Sequence, residues 1–221
     1  MKVLVACEES QRVALSFRDK GHYAFSCDIL PCSGGHPEYH IQDDVLKILN
    51  GGDFVTMDNR KHHVDKWDLI IAHPPCTYLT NTGNRWFNVS KYGETAINRQ
   101  YLRDEAAIFF MQFAKANAEH IAIENPIGYM STHYRKPNQI IQPYEFGEPE
   151  RKATCLWLKN LPLLIPTNIV EPNIIALPSG KTMSKLHYDT FSLEKTERSR
   201  IRSQTFWGVA RAMANQWGAI E

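Results

Sequence analysis

Residues 68–80 read DLIIAHPPCTYLT and set Cys76 directly behind two prolines at the end of an apolar run. A second apolar run, at 120–125, ends on Glu124-Asn125 with Pro126 behind it. A thiol beside a carboxylate suits a particular chemistry. Carbon 5 of a pyrimidine is a poor nucleophile until a group adds at carbon 6. A thiolate can add there, and a carboxyl group hydrogen-bonded to N3 can stabilise the charge that develops. Free cysteine is mostly protonated at neutral pH, so such a site has to favour ionisation. Glu124 in turn needs a raised pKa to share a proton with N3. The rigid Pro74-Pro75 step would hold the backbone that presents the sulfur.

Both groups sit where strands end. KVLVAC (2–7), YAFSCD (23–28), WDLIIAH (67–73) and HIAIEN (120–125) are apolar on both faces. Helical stretches separate them: SQRVALSFRDKG, with Ser10 as N-cap and Gly21 as stop, DDVLKILN (43–50), and the long segment 98–118. That alternation predicts an open, mainly parallel α/β sheet, whose ligands sit beyond the carboxyl ends of its strands. The polar groups CEES, CD, HPPC and ENP should therefore line one edge. After Pro126 the chain turns rich in Pro, Tyr, Lys and Arg. Residues 127–202 read as a small loop-rich appendage with β-like pieces, QIIQPYEF and TCLWL. Residues 203–221 read as a closing helix with Phe206, Val209, Ala210, Met213 and Trp217 on one face.

Composition bounds the rest. No run of about eighteen apolar residues suggests a membrane span. Five cysteines and a start without a long apolar leader point to reduced thiols in the cytoplasm. Residues 1–126 carry 13 Lys/Arg against 16 Asp/Glu, and residues 127–221 carry 12 against 8. A polyanion would therefore meet the C-terminal part. No protein partner is evident. Cys27, Cys32, His36 and His40 have a spacing that invites zinc, but Cys27 lies in a strand and Gly34-Gly35 suggests a loop over a ligand, so no metal is expected.

The order ACEESQRV, CDI, QDDV, DLIIAHPPC, IAIENP, ERKATCLWL and TFWGVARAMANQW resembles the DNA cytosine-5 methyltransferases, and more closely a compact version carried by bacteriophages and prophages. The resemblance spans most of the chain and is strongest from 1 to 126. It implies a class I methyltransferase (Rossmann-like) fold, S-adenosylmethionine as cofactor, and duplex DNA with a flipped cytosine as partner. It further implies Cys76 as the nucleophile, Glu124 as the group at N3, Asp28 on the cofactor ribose and Asp44 on the adenine. Cys7, Glu8, Glu9 and Ser10 then form the cofactor turn, with His73 and Pro74 beside it. Arg151 joins the catalytic set, and Pro75, Asn125, Lys152, Arg135 and Lys136 face the substrate. Thr77–Asn88 reads as a lid, and Arg198, Arg200 and Arg202 as phosphate contacts.

The chain departs from the family pattern in several places. The cofactor turn has no glycine, His73 stands where glycine usually precedes PPC, and Pro126 follows EN in place of valine. Arg151 and Lys152 stand side by side where two alternating arginines are usual, and SQTFWG lacks the family's asparagine. Three other readings stay open: an exocyclic-amine methyltransferase, C5 modification of a free cytosine nucleotide, and an inactive nucleic-acid-binding relative.

Overall fold

A computed structural model describes residues 1–220. The chain runs β1 (Lys2–Ala6), α1 (Arg12–Arg18), β2 (Tyr23–Asp28), β3 (His40–Gln42), β4 (Gly52–Val55), β5 (Lys61–Val64) and β6 (Leu69–Ala72). Next come α2 (Val89–Tyr92), α3 (Glu94–Ala114), β7 (His120–Pro126), α4 (Met130–His133), β8 (Gln139–Ile141) and β9 (Thr154–Lys159). A short hairpin, β10 (Ile174–Ala176) and β11 (Thr182–Ser184), precedes α5 (Lys185–Asp189), α6 (Lys195–Ser203) and α7 (Trp207–Trp217).

One seven-stranded sheet, in the order β3-β2-β1-β6-β7-β9-β8, organises these elements. β3, β2, β1, β6 and β7 are mutually parallel, while β9 runs antiparallel between β7 and β8. The expected α/β fold with a mainly parallel sheet is thus present. Strand alternation sorts the apolar residues into two layers. Leu4, Ala6, Ile70, Ile121 and Ile123 face α3, meeting Ala107, Phe110 and Phe113. Val3, Val5, Leu69, Ile71 and Ala122 face α1 and α7, meeting Phe17, Met213 and Trp217. Each fully buried large apolar side chain contributes about 1.5–3 kcal/mol. Both faces being covered explains why these strands read as continuous apolar runs.

Several boundaries differ from expectation. The segment 43–50 holds only a 3-10 turn, Val45–Lys47, capped by Asp44, which accepts from Leu46 N at 3.0 Å; Val45, Ile48 and Leu49 are buried there without a full helix. The β4–β5 hairpin and β3 lacked a sequence signal; they are short, and half their residues are exposed. β8 and β9, from the stretch expected as an appendage, extend the central sheet. β9 pairs along β7 from Thr154 to Lys159. That same stretch contains two helices, α5 and α6, whose polar surfaces hid their periodicity. No helix among the described residues is long and apolar enough to cross a membrane.

Candidate active site

From β1 the chain passes to β2 on one side, and from β6 it passes to β7 on the other. Adjacent strands that depart in opposite directions leave a crevice beyond their carboxyl ends. A cavity of about 580 Å³ opens there. Its walls come from the ends of β1, β2 and β6, the turn at Asp43–Val45, and α6 with the segment behind it.

The turn leaving β1 works without glycine. Cys7 (φ 59°) and Gln11 (φ 61°) take left-handed backbone conformations themselves, at a cost of roughly 1–2 kcal/mol each. The neighbouring loop holds them. Gln11 Nε2 donates to His36 O at 2.9 Å, His36 N donates to Gln11 Oε1 at 3.1 Å, and Ser33 N donates to Glu9 O at 2.8 Å. Gly34 lies so close that an added Cβ would meet Ser10 O at 2.7 Å. Ser10 is buried and does not cap α1 as expected. Glu8 does, accepting from Val13 N at 2.7 Å and Ala14 N at 3.2 Å. The positive end of the helix is thereby occupied by the protein's own carboxylate. Burial raises the Glu8 carboxyl to about 7, although His73 and the two amides oppose the rise. Both carboxylate oxygens of Glu9, which lines the cavity, are buried without a hydrogen-bond partner.

Asp28 and Asp44 also line the cavity, as the sequence suggested. Burial raises the Asp28 carboxyl, against the amide of Leu30 that donates to it. The residues that invited zinc have other work. His40 is fully buried, with Nδ1 2.8 Å from Ser26 Oγ and Nε2 2.9 Å from Leu30 O. The Cys27 thiol donates to Asp43 O at 3.4 Å. Among the described residues no group of three or more His, Cys, Asp or Glu could hold a metal ion.

The PPC loop is anchored from the next strand. Asn125 Nδ2 donates to Pro74 O at 2.8 Å, and Asn125 is 4 % exposed. Asn125 therefore latches the loop and does not present its amide to a substrate, a correction to the expectation. Pro74 is buried behind the loop and does not line the cavity, another correction; Pro75 and Cys76 do line it. Cys76 is exposed to the cleft, but partial burial of its sulfur, with Glu124 nearby, raises the thiol. Lys152 acts in the opposite direction. The unliganded site does not favour the thiolate that the chemistry asks for.

Glu124 and His73 form a close buried pair, with Oε2 and Nδ1 3.0 Å apart and each side chain about one-tenth exposed. Burial pushes Glu124 up, but the His73 imidazole outweighs it, aided by Lys152 and Thr205, and the net shift is downward. Glu124 thus lacks the raised carboxyl expected of it, because the His73 imidazole lies beside it. His73 shifts the other way: burial disfavours its proton, and Glu124 and Glu8 together prevail.

Other expected site residues lie elsewhere. Arg151 is exposed, with no hydrogen bond or ion pair among the described residues; its neighbour Lys152 is the one that acts on the site. Arg135 donates to Asn138 Oδ1 at 2.7 Å and to Leu158 O at 3.0 Å. Leu158 pairs with Ala122, low on β7 and roughly 13 Å along the strand from Pro126. Arg135 and the exposed Lys136 beside it are thus not brought to the cleft. Arg198 donates to Phe191 O and Arg202 to Thr190 Oγ1 and His187 O, while Arg200 lines the cavity and pairs with Glu197. The expected lid is pinned. Asn81 N donates to Ile127 O, Tyr129 N to Leu79 O, and Arg103 to Tyr78 O and Asn84 Oδ1.

Three features of the site had no sequence signal. α6 contributes Thr196, Ser199 and Ser203 to the cavity wall, beside the expected Arg200. Thr205 helps to lower the Glu124 carboxyl, and Arg12 grips the same segment, donating to Thr205 O at 2.9 Å and Gln204 Oε1 at 2.7 Å. Partners so far apart in the chain leave no local pattern to read. A scan against protein-family models finds no match, and a search of curated proteins finds no relative.

Proposed function

We propose that this protein transfers a methyl group from S-adenosylmethionine to carbon 5 of cytosine in DNA, on a class I methyltransferase fold. The observation that carries the reading is the convergence of Cys76, Glu124 and Lys152 beside an acid-lined cavity at the sheet's switch point. The cavity suits the cofactor in size and charge. About 580 Å³ lies within the range of small-molecule sites. The orphan carboxylate of Glu9 suits a cationic group, and Asp28 and Asp44 suit hydroxyl and amine donors. Bound there, S-adenosylmethionine would supply an electrophilic methyl group.

The chain's own residues do the rest. Cys76 adds to carbon 6 as the thiolate, which Lys152 favours, and Glu124 faces N3. Lys152 and Thr205 favour the ionised form of Glu124, while Asn125 holds the loop that carries the sulfur. Once carbon 5 carries the methyl group, loss of its proton to a base and departure of the Cys76 thiolate restore the ring. A cytosine in duplex DNA must turn out of the stack to reach this cleft. One observation favours a second reading, C5 modification of a free cytosine nucleotide. Arg135, Arg198, Arg200 and Arg202, expected to meet phosphates, are engaged by the chain itself.

Mass spectrometry of DNA and of dCMP after incubation with labelled S-adenosylmethionine separates the two readings. The expected product is 5-methylcytosine in DNA, together with a Cys76-dependent covalent adduct on 5-fluorocytosine DNA. Full methyl transfer by Cys76→Ser would refute the nucleophile assignment; label on dCMP alone would favour the nucleotide.

A further inference from the structure

Glu8, His73 and Glu124 form a buried cluster that thiol addition does not by itself require. His73 occupies the position where the resembling enzymes carry glycine, so its side chain is a feature of this sequence. Its Nδ1 is 3.0 Å from Glu124 Oε2, yet neither Oε2 nor His73 Nε2 has a hydrogen-bond partner. The contact is close but misaligned. Catalytic hydrogen bonds are often loose in unliganded sites and tighten when substrate enters. Three charged groups act on the ring: Glu124 from β7, Glu8 from the end of β1, and Lys152 from the segment before β9. The two acidic groups outweigh burial and the lysine, so the net shift of the imidazole is upward.

An ionised Glu124 has no proton to give, and addition at carbon 6 places negative charge on N3. We propose that His73 is a positioning residue that holds, in the resting protein, the proton which Glu124 delivers to N3 of the target base. The inference rests on the cytosine reading above and deepens it. As the Cys76 sulfur–carbon 6 bond forms, the carbon 5–carbon 6 π pair moves between carbons 4 and 5. The carbon 4–N3 π pair moves onto N3, which takes the proton from Glu124, and Glu124 takes one from His73 Nδ1. After methylation the carbon 5 proton leaves to a base and the sulfur–carbon bond breaks. N3 returns its proton through Glu124 to His73. The relay from His73 through Glu124 to N3 thus returns to its start, Cys76 enters and leaves as the thiolate, and the carbon 5 proton taken by the base is the one released in each turnover.

The test has one arm that needs no substrate. In the full-length protein with labelled histidine rings, His73 is identified by its absence from His73→Asn and titrated by NMR, with and without Glu124→Gln. The expected result is a midpoint above the ordinary imidazole value of 6.5, falling by a pH unit or more in Glu124→Gln. An unchanged midpoint, or a His73 that stays neutral throughout, would overturn the proposal. The second arm follows adduct formation on 5-fluorocytosine DNA against pH. His73→Asn should slow it on the order of 10–100-fold and move the alkaline limb by at least one pH unit. A slowed rate with an unmoved limb marks a structural role and overturns proton delivery. If no adduct forms even with the wild type, the cytosine reading and the delivery step fail together. Proton sharing within the pair is then judged by the titration.

Discussion

Replacing Asn125 by alanine removes a buried bond that ties the end of β7 to the loop carrying Cys76. Asn125 Nδ2 lies 2.8 Å from Pro74 O, within buried surroundings. Loss of the bond removes a net contribution of about 1 kcal/mol, and the carbonyl left behind, shielded from water, adds about 1–3 kcal/mol. The backbone pairing of Asn125 with Cys155 survives the change, so the damage centres on the loop. We expect Asn125→Ala to lower the unfolding free energy by about 2–4 kcal/mol, read as a shifted urea midpoint at constant slope. Asn125→Asp should be no better, because it sets a carboxylate against a carbonyl oxygen. A local readout accompanies the global one. Alkylation of Cys76, followed by peptide mass spectrometry, should quicken once its loop is released. A stability loss under about 0.5 kcal/mol with an unchanged Cys76 rate would refute the latch.

Further expectations follow from the same geometry. In Gly128→Ala the new Cβ would meet Leu79 O at 1.9 Å. Backbone must move to admit it, so a loss of about 2 kcal/mol or more is expected, with a lower Tm by calorimetry. Glu8 titrates near 7 in the fold against 4.5 when free. The stability it contributes is complete below pH 4.5 and is lost as pH rises through 7. Glu8→Gln removes this dependence, so from pH 5 to pH 8 the wild-type urea midpoint should fall further than the variant's. Arg12→Ala frees the segment at Gln204-Thr205 that closes the cavity. Affinity for S-adenosylmethionine in calorimetry should fall about tenfold, near 1.4 kcal/mol; unchanged affinity would show that the grip is not needed for binding.

The frame is legible in the order of residues alone. Strands apolar on both faces can be buried only between two helical layers, so the parallel sheet, the edge where its polar ends gather, and the positions of Cys76, Glu124, Asp28 and Asp44 on that edge were all legible. Periodicity and strand-end chemistry are local properties, and local properties survive in a linear text. How the groups act on one another is settled by the folded chain. It paired His73 with Glu124 and so lowered a carboxyl that the chemistry in isolation wanted raised. It turned Asn125 inward as a latch, chose Lys152 over Arg151, and removed Arg135 from the cleft to the far end of β9. It also brought α6, Thr205 and Arg12 to the cavity from the far end of the chain and from α1. A pKa and a hydrogen bond depend on distances of a few ångströms between residues that the chain order keeps far apart, and those distances exist only once the sheet has formed.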